Sequence, residues 1–155
     1  MIRHHKILVP TDCSDQSTEA IRRAGVMAEK FDAEIHLLYV MEPSMYFEMD
    51  MVAIPPLDDV DNTTQKGVFR RIKAQVASFD SKLIVHMKES VGDPARTICQ
   101  FAESLPADLI VIGRHSEKST FAHMLMGSFV ERVVAHAPCS VLVTVPHGLI
   151  GDEQN

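Results

Sequence analysis

Two polar segments of this sequence carry residue types that can bind sugar and phosphate groups. The first is Pro10-Thr11-Asp12-Cys13-Ser14-Asp15, and the second begins at Gly113-Arg114-His115-Ser116 and extends to Gly127-Ser128. A glycine and a serine at the start of a helix offer free backbone N–H groups, a hydroxyl and the positive end of the helix dipole, which together suit phosphate. The same pair also occurs in an ordinary capped helix after a glycine turn, so both interpretations are open at this point.

Motifs for other nucleotide chemistry are absent from the sequence. Glu117 stands where a Walker A motif needs a glycine before Lys118-Ser119, and no G-x-G-x-x-G follows the first apolar run. The sequence has no G-x-S-x-G nucleophile turn, and it lacks the His-x-Gly-His signature of nucleotidyl-transfer folds. Asp12 is the only acid that can be placed near the expected site, and no residue stands out as a general base. We therefore predict no catalytic residue, with a slow ATPase as the alternative.

The histidines and cysteines show no metal-binding spacing. The eight histidines form no i, i+4 ligand pair with an acid and have no suitably spaced cysteine, so we predict no metal site. The three cysteines, Cys13, Cys99 and Cys139, include no CxxC pair. The first residues lack the apolar core of a signal peptide, so we expect reduced thiols in a cytoplasmic protein. A reactive Cys13 in the first polar segment is the less favoured alternative.

The length and charge of the chain limit its class. Its 155 residues fit one domain, which we place at residues 1–146, with a C-terminal tail at 147–155. The net charge of −6 argues against binding to nucleic acid or to an anionic membrane surface. No apolar run approaches the roughly 18 residues of a membrane span. A local site for a small anion remains compatible with this charge.

Five strand-like runs alternate with helical patterns along the chain. The predicted strands are Lys6–Pro10, Ile35–Val40, Lys82–His86, Asp108–Gly113 and Ser140–Val145. Apolar residues at helical spacing predict helices with stripes at Ala20, Ala24, Met27, Ala28 and Phe31, at Val68, Ile72, Val76 and Phe79, at Ile98, Phe101 and Ala102, and at Val133, Val134 and Ala137. Ser14, Asp93 and Ser128 are the predicted N-caps of three of them. This β-α alternation predicts an α/β fold, a doubly wound parallel sheet with helices on both faces.

One segment departs from this alternation. Glu42–Gln65 contains six acidic residues and no Lys or Arg, together with methionines, aromatic residues and three prolines. It is longer than most connections between a strand and a helix. We interpret it as a surface excursion. A mobile lid or partner-contact loop is the alternative, which the mixed methionine and aromatic residues support because they suit adaptable surfaces.

Three stretches of the chain resemble the universal stress protein family. The first is Lys6–Asp15, the second is Val91–Pro94 with Ile98 following, and the third runs through Ala107–His115 and Met126–Val143. Together they span almost the whole chain, and the last stretch is specific. The resemblance implies a five-stranded sheet of order 3-2-1-4-5, a dimer, and in some members a bound ATP.

The resemblance also implies which residues form the site. In ATP-binding members a loop of form G-x2-G-x9-G-[ST] wraps the phosphates, and an Asp after strand one and the end of strand two hold the adenosine. Carried over, Asp12 and Val40 lie near adenine, while Gly113, Gly127 and Ser128 face ribose and phosphates. The full expected set is Pro10, Thr11, Asp12, Val40, Gly113, His115, Ser116, Gly127, Ser128 and Phe129. The expected ligand is ATP, with AMP or ADP as alternatives and Mg on the phosphates.

The phosphate loop departs from the family pattern at two points. Ser116 replaces the second glycine, and ten residues rather than nine, Glu117 to Met126, separate it from Gly127. A positive φ at Ser116 would cost roughly 1 kcal/mol or more. Lys118 and Arg114 could offset this by pairing with phosphate, although solvated loop charge is the favoured interpretation of both. We therefore expect ATP to bind more weakly than in a member with the intact glycine pattern.

The sequence thus favours a regulatory module of the stress response that binds an adenine nucleotide and contacts a protein partner of unknown identity. A nucleotide-free dimeric interaction protein of the same fold is the alternative, followed by the slow ATPase. A homodimer through Val141–Val145 is expected, because an apolar strand with few charges at a sheet edge favours pairing with a second copy. The sequence does not identify the stress or the pathway.

Overall fold

A computed structural model describes residues 5–41, 65–79, 82–90, 92–114 and 129–145 of the chain. The described strands form one parallel sheet in the order β3-β2-β1-β4-β5. Their bounds are β1 (His5–Pro10), β2 (Ala33–Met41), β3 (Leu83–Glu89), β4 (Leu109–Gly113) and β5 (Ser140–Thr144). This is the strand order expected from the family resemblance, and the prediction of the fold is confirmed.

Four helices lie in the described residues: α1 (Asp15–Phe31), α2 (Gln65–Val76), α3 (Pro94–Ser104) and α4, which covers residues 129–136. The two predicted N-caps within these residues are confirmed. The Ser14 side chain accepts a hydrogen bond from the Ser17 N–H at the start of α1, and the Asp93 side chain accepts one from the Ala95 N–H at the start of α3. Each cap satisfies an N–H group that has no partner within its helix.

The helices cover both faces of the sheet. Because successive strand residues point to opposite faces, Ile7 and Val9 of β1 pack with α1 and α2, whereas Leu8 packs with α3 and α4. The first layer contains Ala20, Ala24, Val68 and Ile72, and the second contains Ile98, Ala102 and Val133. The apolar core therefore consists of two layers, one on each face of the sheet.

Several predicted details were wrong at the edges of the fold. Phe31 is 61% exposed and Val134 is 52% exposed, although both belong to predicted apolar stripes. Phe31 ends α1, next to the left-handed Asp32, so no further turn covers it. Strand β5 forms the edge of the sheet, as the homodimer expectation assumes, and Leu142 is exposed on it.

The unusual acidic segment can be described only at its end. Of Glu42–Gln65, Gln65 begins α2, and the rest lies outside the described residues. None of the helices in the described ranges has the length and apolar character needed to cross a membrane.

Candidate functional site

A cavity of ≈ 430 Å³ opens at the carboxyl ends of β1 and β4. Strand β1 pairs with β2 on one side and with β4 on the other, so the strand order reverses here. Ligands of open α/β sheets bind at this kind of position. Polar residues of the cavity wall come from the loop between β1 and α1 and from the first turn of α1: Thr11, Asp12, Ser14, Gln16 and Ser17. Apolar residues come from the layer of α3 and α4 and from the strand ends: Leu38, Val40, Ile98, Ile112, Phe129 and Val130.

The loop after β1 is held by its own side chains. The Ser14 N–H donates to Asp12 Oδ1 over 2.9 Å, and the Ser14 hydroxyl contacts the same oxygen. Cys13 has a φ of +65°, which few residues other than glycine adopt. Its N–H donates to Thr11 Oγ1 over 3.0 Å. The loop therefore has a defined conformation that presents Asp12 at the cavity rim.

Gly113 brings the end of β4 against the first turn of α1. A Cβ atom at this position would lie 2.7 Å from the carbonyl carbon of Gln16 and still closer to its oxygen. The backbone of α1 cannot shift without moving the cap at Ser14, so only glycine fits here. The sequence predicted a glycine that faces ribose and phosphates, and the structure shows a packing requirement at the same residue.

A charged pair lies on the opposite wall of the cavity. Arg132 of α4 donates to Asp93 from Nε over 3.1 Å and from Nη2 over 3.2 Å, a bidentate arrangement. Asp93 also caps α3, so one carboxylate joins the two helices of this layer. Both side chains are partly exposed, and Arg132 lines the cavity. It places a guanidinium within reach of an anionic ligand.

The cysteine in the loop is not activated. Burial raises the pKa of the Cys13 thiol, and the nearby Arg71 guanidinium lowers it only in part. Burial likewise raises the pKa values of Cys99 and Cys139. Thiols with raised pKa values are weak nucleophiles at neutral pH, so the geometry does not favour the reactive-thiol alternative for Cys13.

The structure brings together the predicted site residues that it describes. Six of them line the cavity: Pro10, Thr11, Asp12, Val40, Gly113 and Phe129. The other four, His115, Ser116, Gly127 and Ser128, lie outside the described residues. Sequence reasoning missed Ser17, Ile98 and Arg132. The opposite charges of Asp93, a predicted helix cap, and Arg132, on the next predicted helix, are the sequence feature that could have indicated this pair.

Comparison with known proteins identifies the family. The model of the universal stress protein family matches residues 3–145. The chain belongs to the universal stress protein family. Universal stress protein MJ0531 of Methanocaldococcus jannaschii is 34% identical to it over 146 residues, which cover 90% of this chain and 81% of the relative. The resemblance read from the sequence is thus confirmed.

Solved structures agree with this membership. Universal stress protein UspA from Lactobacillus plantarum superposes with a TM-score of 0.64 at 31% identity, over 92% of this chain and 99% of that one. A universal stress protein solved in complex with cAMP has the same TM-score of 0.64 at 22% identity, over 91% of this chain and 97% of that one. The second likeness shows the fold alone.

Proposed function

We propose that this chain is a regulatory module of the stress response that binds an adenine nucleotide, ATP, in the cavity between β1 and β4. The observation that supports this most is the meeting of Asp12, Val40, Gly113 and Phe129 around one cavity at the reversal of strand order. Its volume of ≈ 430 Å³ lies within the range of about 300–1,000 Å³ that is typical of small-molecule sites. A member of the family solved with cAMP also supports an adenine nucleotide.

The cavity wall fits the two halves of a nucleoside. Val40, Ile98 and Phe129 form an apolar surface against which a flat base can pack. Asp12 lies on the polar rim, where its carboxylate can accept hydrogen bonds from ribose hydroxyls or from the adenine amino group. In this proposal Asp12 acts on the nucleoside rather than on the phosphates.

In this proposal the phosphates lie near Arg132 and near the residues that follow β4. Arg132 supplies a guanidinium whose planar donors suit phosphate oxygens. Gly127 and Ser128 keep their predicted phosphate role, with AMP and ADP as alternative ligands. Within the described residues no group of three or more His, Cys, Asp or Glu side chains is arranged to hold a metal ion. An accompanying Mg²⁺ would therefore be carried by the phosphates.

The proposal includes a homodimer. Strand β5 lies at the edge of the sheet, where backbone N–H and C=O groups can pair with another strand. Its outer residue Leu142 is 38% exposed. Pairing between two copies through Val141–Val145 would cover this edge with a twofold symmetric contact.

Calorimetry with ATP and adenosine tests the nucleotide site. Asp12→Ala should lower the affinity for both ligands by roughly ten- to a hundredfold, because loss of a hydrogen bond to a charged group costs about 1.5–3 kcal/mol. Asp12→Asn is the matched control, since its side-chain oxygen can still accept from Ser14 while the charge is lost. Wild-type protein that gives no heat with millimolar ATP and releases no nucleotide on denaturation would contradict the proposal. The nucleotide-free interaction protein would then replace it.

A further inference from the structure

Helix α2 reaches into the loop after β1 through a single glutamine. Thr11 Oγ1 lies 2.8 Å from Gln75 Oε1, and Gln75 Nε2 lies 3.0 Å from Ser17 Oγ and 2.9 Å from Thr18 Oγ1. Gln75 is 64 residues from Thr11 along the chain. It thus joins a distant helix to the segment that forms the cavity rim.

The donors and acceptors of this cluster are mutually compatible, and Thr11 Oγ1 also lies 3.0 Å from Ser17 Oγ. Gln75 Oε1 can only accept, so the Thr11 hydroxyl donates to it and in turn accepts from the Cys13 N–H. The Gln75 amide nitrogen has two hydrogens, which serve Ser17 and Thr18. Those two hydroxyls are then free to donate to the Ser14 carbonyl oxygen, at 2.9 and 3.1 Å. The Ser14 carbonyl oxygen also lies 3.4 Å from Gln75 Nε2.

These contacts lie in a place where an unpaired hydroxyl is costly. Thr11 and Ser17 are both buried, and a buried polar group without a partner loses its hydration without compensation. The two hydroxyls lie 3.0 Å from each other, and Gln75 adds a partner from α2 to both of them. Arg71, one helical turn earlier, adds a second contact at 3.4 Å from its Nη2 to the Asp12 carbonyl oxygen.

We infer that Gln75 is a positioning residue for ligand binding, which fixes the loop Thr11–Ser14 in the conformation that presents Asp12 to the cavity. This inference rests on the proposed nucleotide site, and it adds α2 to the elements that control affinity. Gln75 does not line the cavity itself, so its effect reaches the ligand through Thr11 and the loop. A change that moves α2 would change the affinity without touching the ligand.

The first test needs no ligand and uses Cys13 as a reporter of the loop. Gln75→Met keeps the length of the side chain and removes its four hydrogen bonds, to Thr11, Ser14, Ser17 and Thr18. The rate at which iodoacetamide alkylates Cys13, followed by mass spectrometry of the tryptic peptides, should rise at least ~3-fold as the loop opens more often. Cys99 and Cys139 should keep their rates. Gln100→Met is the matched control, because Gln100 is exposed on α3.

The second test measures ATP affinity by calorimetry on the same variants. Gln75→Met should bind ATP about tenfold more weakly, whereas Gln100→Met should match the wild type. Gln75→Glu keeps the acceptor for Thr11 and loses both amide donors, so it should restore part of the affinity and part of the protection of Cys13. Circular dichroism confirms that each variant is folded.

The outcomes separate the two proposals. Unchanged Cys13 alkylation in Gln75→Met, or an equal rise in Gln100→Met, would overturn the positioning role. A rise at Cys13 with unchanged ATP affinity would also overturn it, since the loop would then move without consequence for the ligand. If the wild type binds no ATP, the nucleotide proposal fails, and the Cys13 rates alone decide whether Gln75 holds the loop.

Discussion

Gly113 and Gln16 are in such close contact that no other residue fits at position 113. A Cβ atom there would lie 2.7 Å from the Gln16 carbonyl carbon and 3.3 Å from its Cβ. The contact joins the end of β4 to the first turn of α1, and both segments line the cavity. A glycine that looks like part of a phosphate loop in the sequence thus also sets the distance between two walls of the site.

Gly113→Ala should therefore lower both the stability of the protein and its affinity for ATP. We expect a loss of about 1–3 kcal/mol in the free energy of unfolding, as for other overpacked sites, measured by urea denaturation. Gly92→Ala is an informative control, because that position has open space but a φ of +97°. It should cost about 1 kcal/mol through backbone strain and leave ATP affinity unchanged. Equal ATP affinity in Gly113→Ala and wild type would contradict the role of this contact in the site.

Arg132→Met should reduce the affinity for ATP but not for adenosine. The guanidinium is the charged group that α4 offers to the cavity, and loss of a charge-assisted contact to phosphate costs roughly tenfold or more in affinity. Because the pair with Asp93 is partly exposed, its loss should cost less than about 1 kcal/mol of stability. Calorimetry with both ligands separates these effects.

Asp93→Asn is the companion variant to Arg132→Met. It removes the negative charge that holds Arg132, while its side-chain oxygen can still cap α3. ATP affinity should fall less than in Arg132→Met, because the guanidinium is still present. An equal loss of affinity for adenosine and for ATP in Arg132→Met would show that Arg132 does not act on the phosphates.

The sequence predicted those parts of the molecule that depend on neighbours along the chain. The strands follow from apolar runs, and the caps at Ser14 and Asp93 follow from residues within one turn of their helices. Thr11 and Asp12 were placed at the site because each strand of a parallel sheet ends at the same edge. Residues close together in the sequence were sufficient to predict the strands, the caps and the position of Thr11 and Asp12 at a strand end.

The parts that sequence reasoning missed depend on pairs far apart in the chain. Arg132 meets Asp93 across 39 residues, and Gln75 meets Thr11 across 64. Gln75 lies beside the apolar stripe that contains Ile72 and Val76 but is not part of it, so its position in the sequence resembles that of an ordinary exposed helix residue. Only the packing of α2 against the loop after β1 shows that the amide oxygen of Gln75 contacts Thr11 and that its nitrogen contacts Ser17 and Thr18.

A pair of histidines joins β2 to β3. His36 is buried, and its Nδ1 lies 2.9 Å from His86 Nε2, with the two rings stacked at 5.2 Å. Burial lowers the pKa of His86, and the neighbouring His36 and Lys88 lower it further. Glu34 faces the far nitrogen of His36 at 3.2 Å.

Stability should accordingly fall as the pH drops below about 6.5, the ordinary pKa of histidine. Below that value the unfolded chain binds a proton at His86 more readily than the folded chain, so protonation favours unfolding. The melting temperature should be lower at about pH 5.5 than at about pH 7.5, and the difference should shrink in His86→Gln. His5→Gln is the control, since the His5 side chain is 60% exposed. An identical pH dependence in His86→Gln and wild type would contradict this assignment.

The homodimer prediction can be tested at the exposed edge of β5. Leu142→Lys places a charge on this strand, which discourages pairing with another strand. Leu142 is 38% exposed, so the substitution should leave the folded chain intact. Light scattering should give twice the 17.3 kDa chain mass for the wild type and the single mass for the variant. Val26→Lys, at a residue 51% exposed on α1, should remain dimeric. A wild-type mass of one chain at micromolar concentration would refute the dimer, and a dimeric Leu142→Lys would place the contact elsewhere.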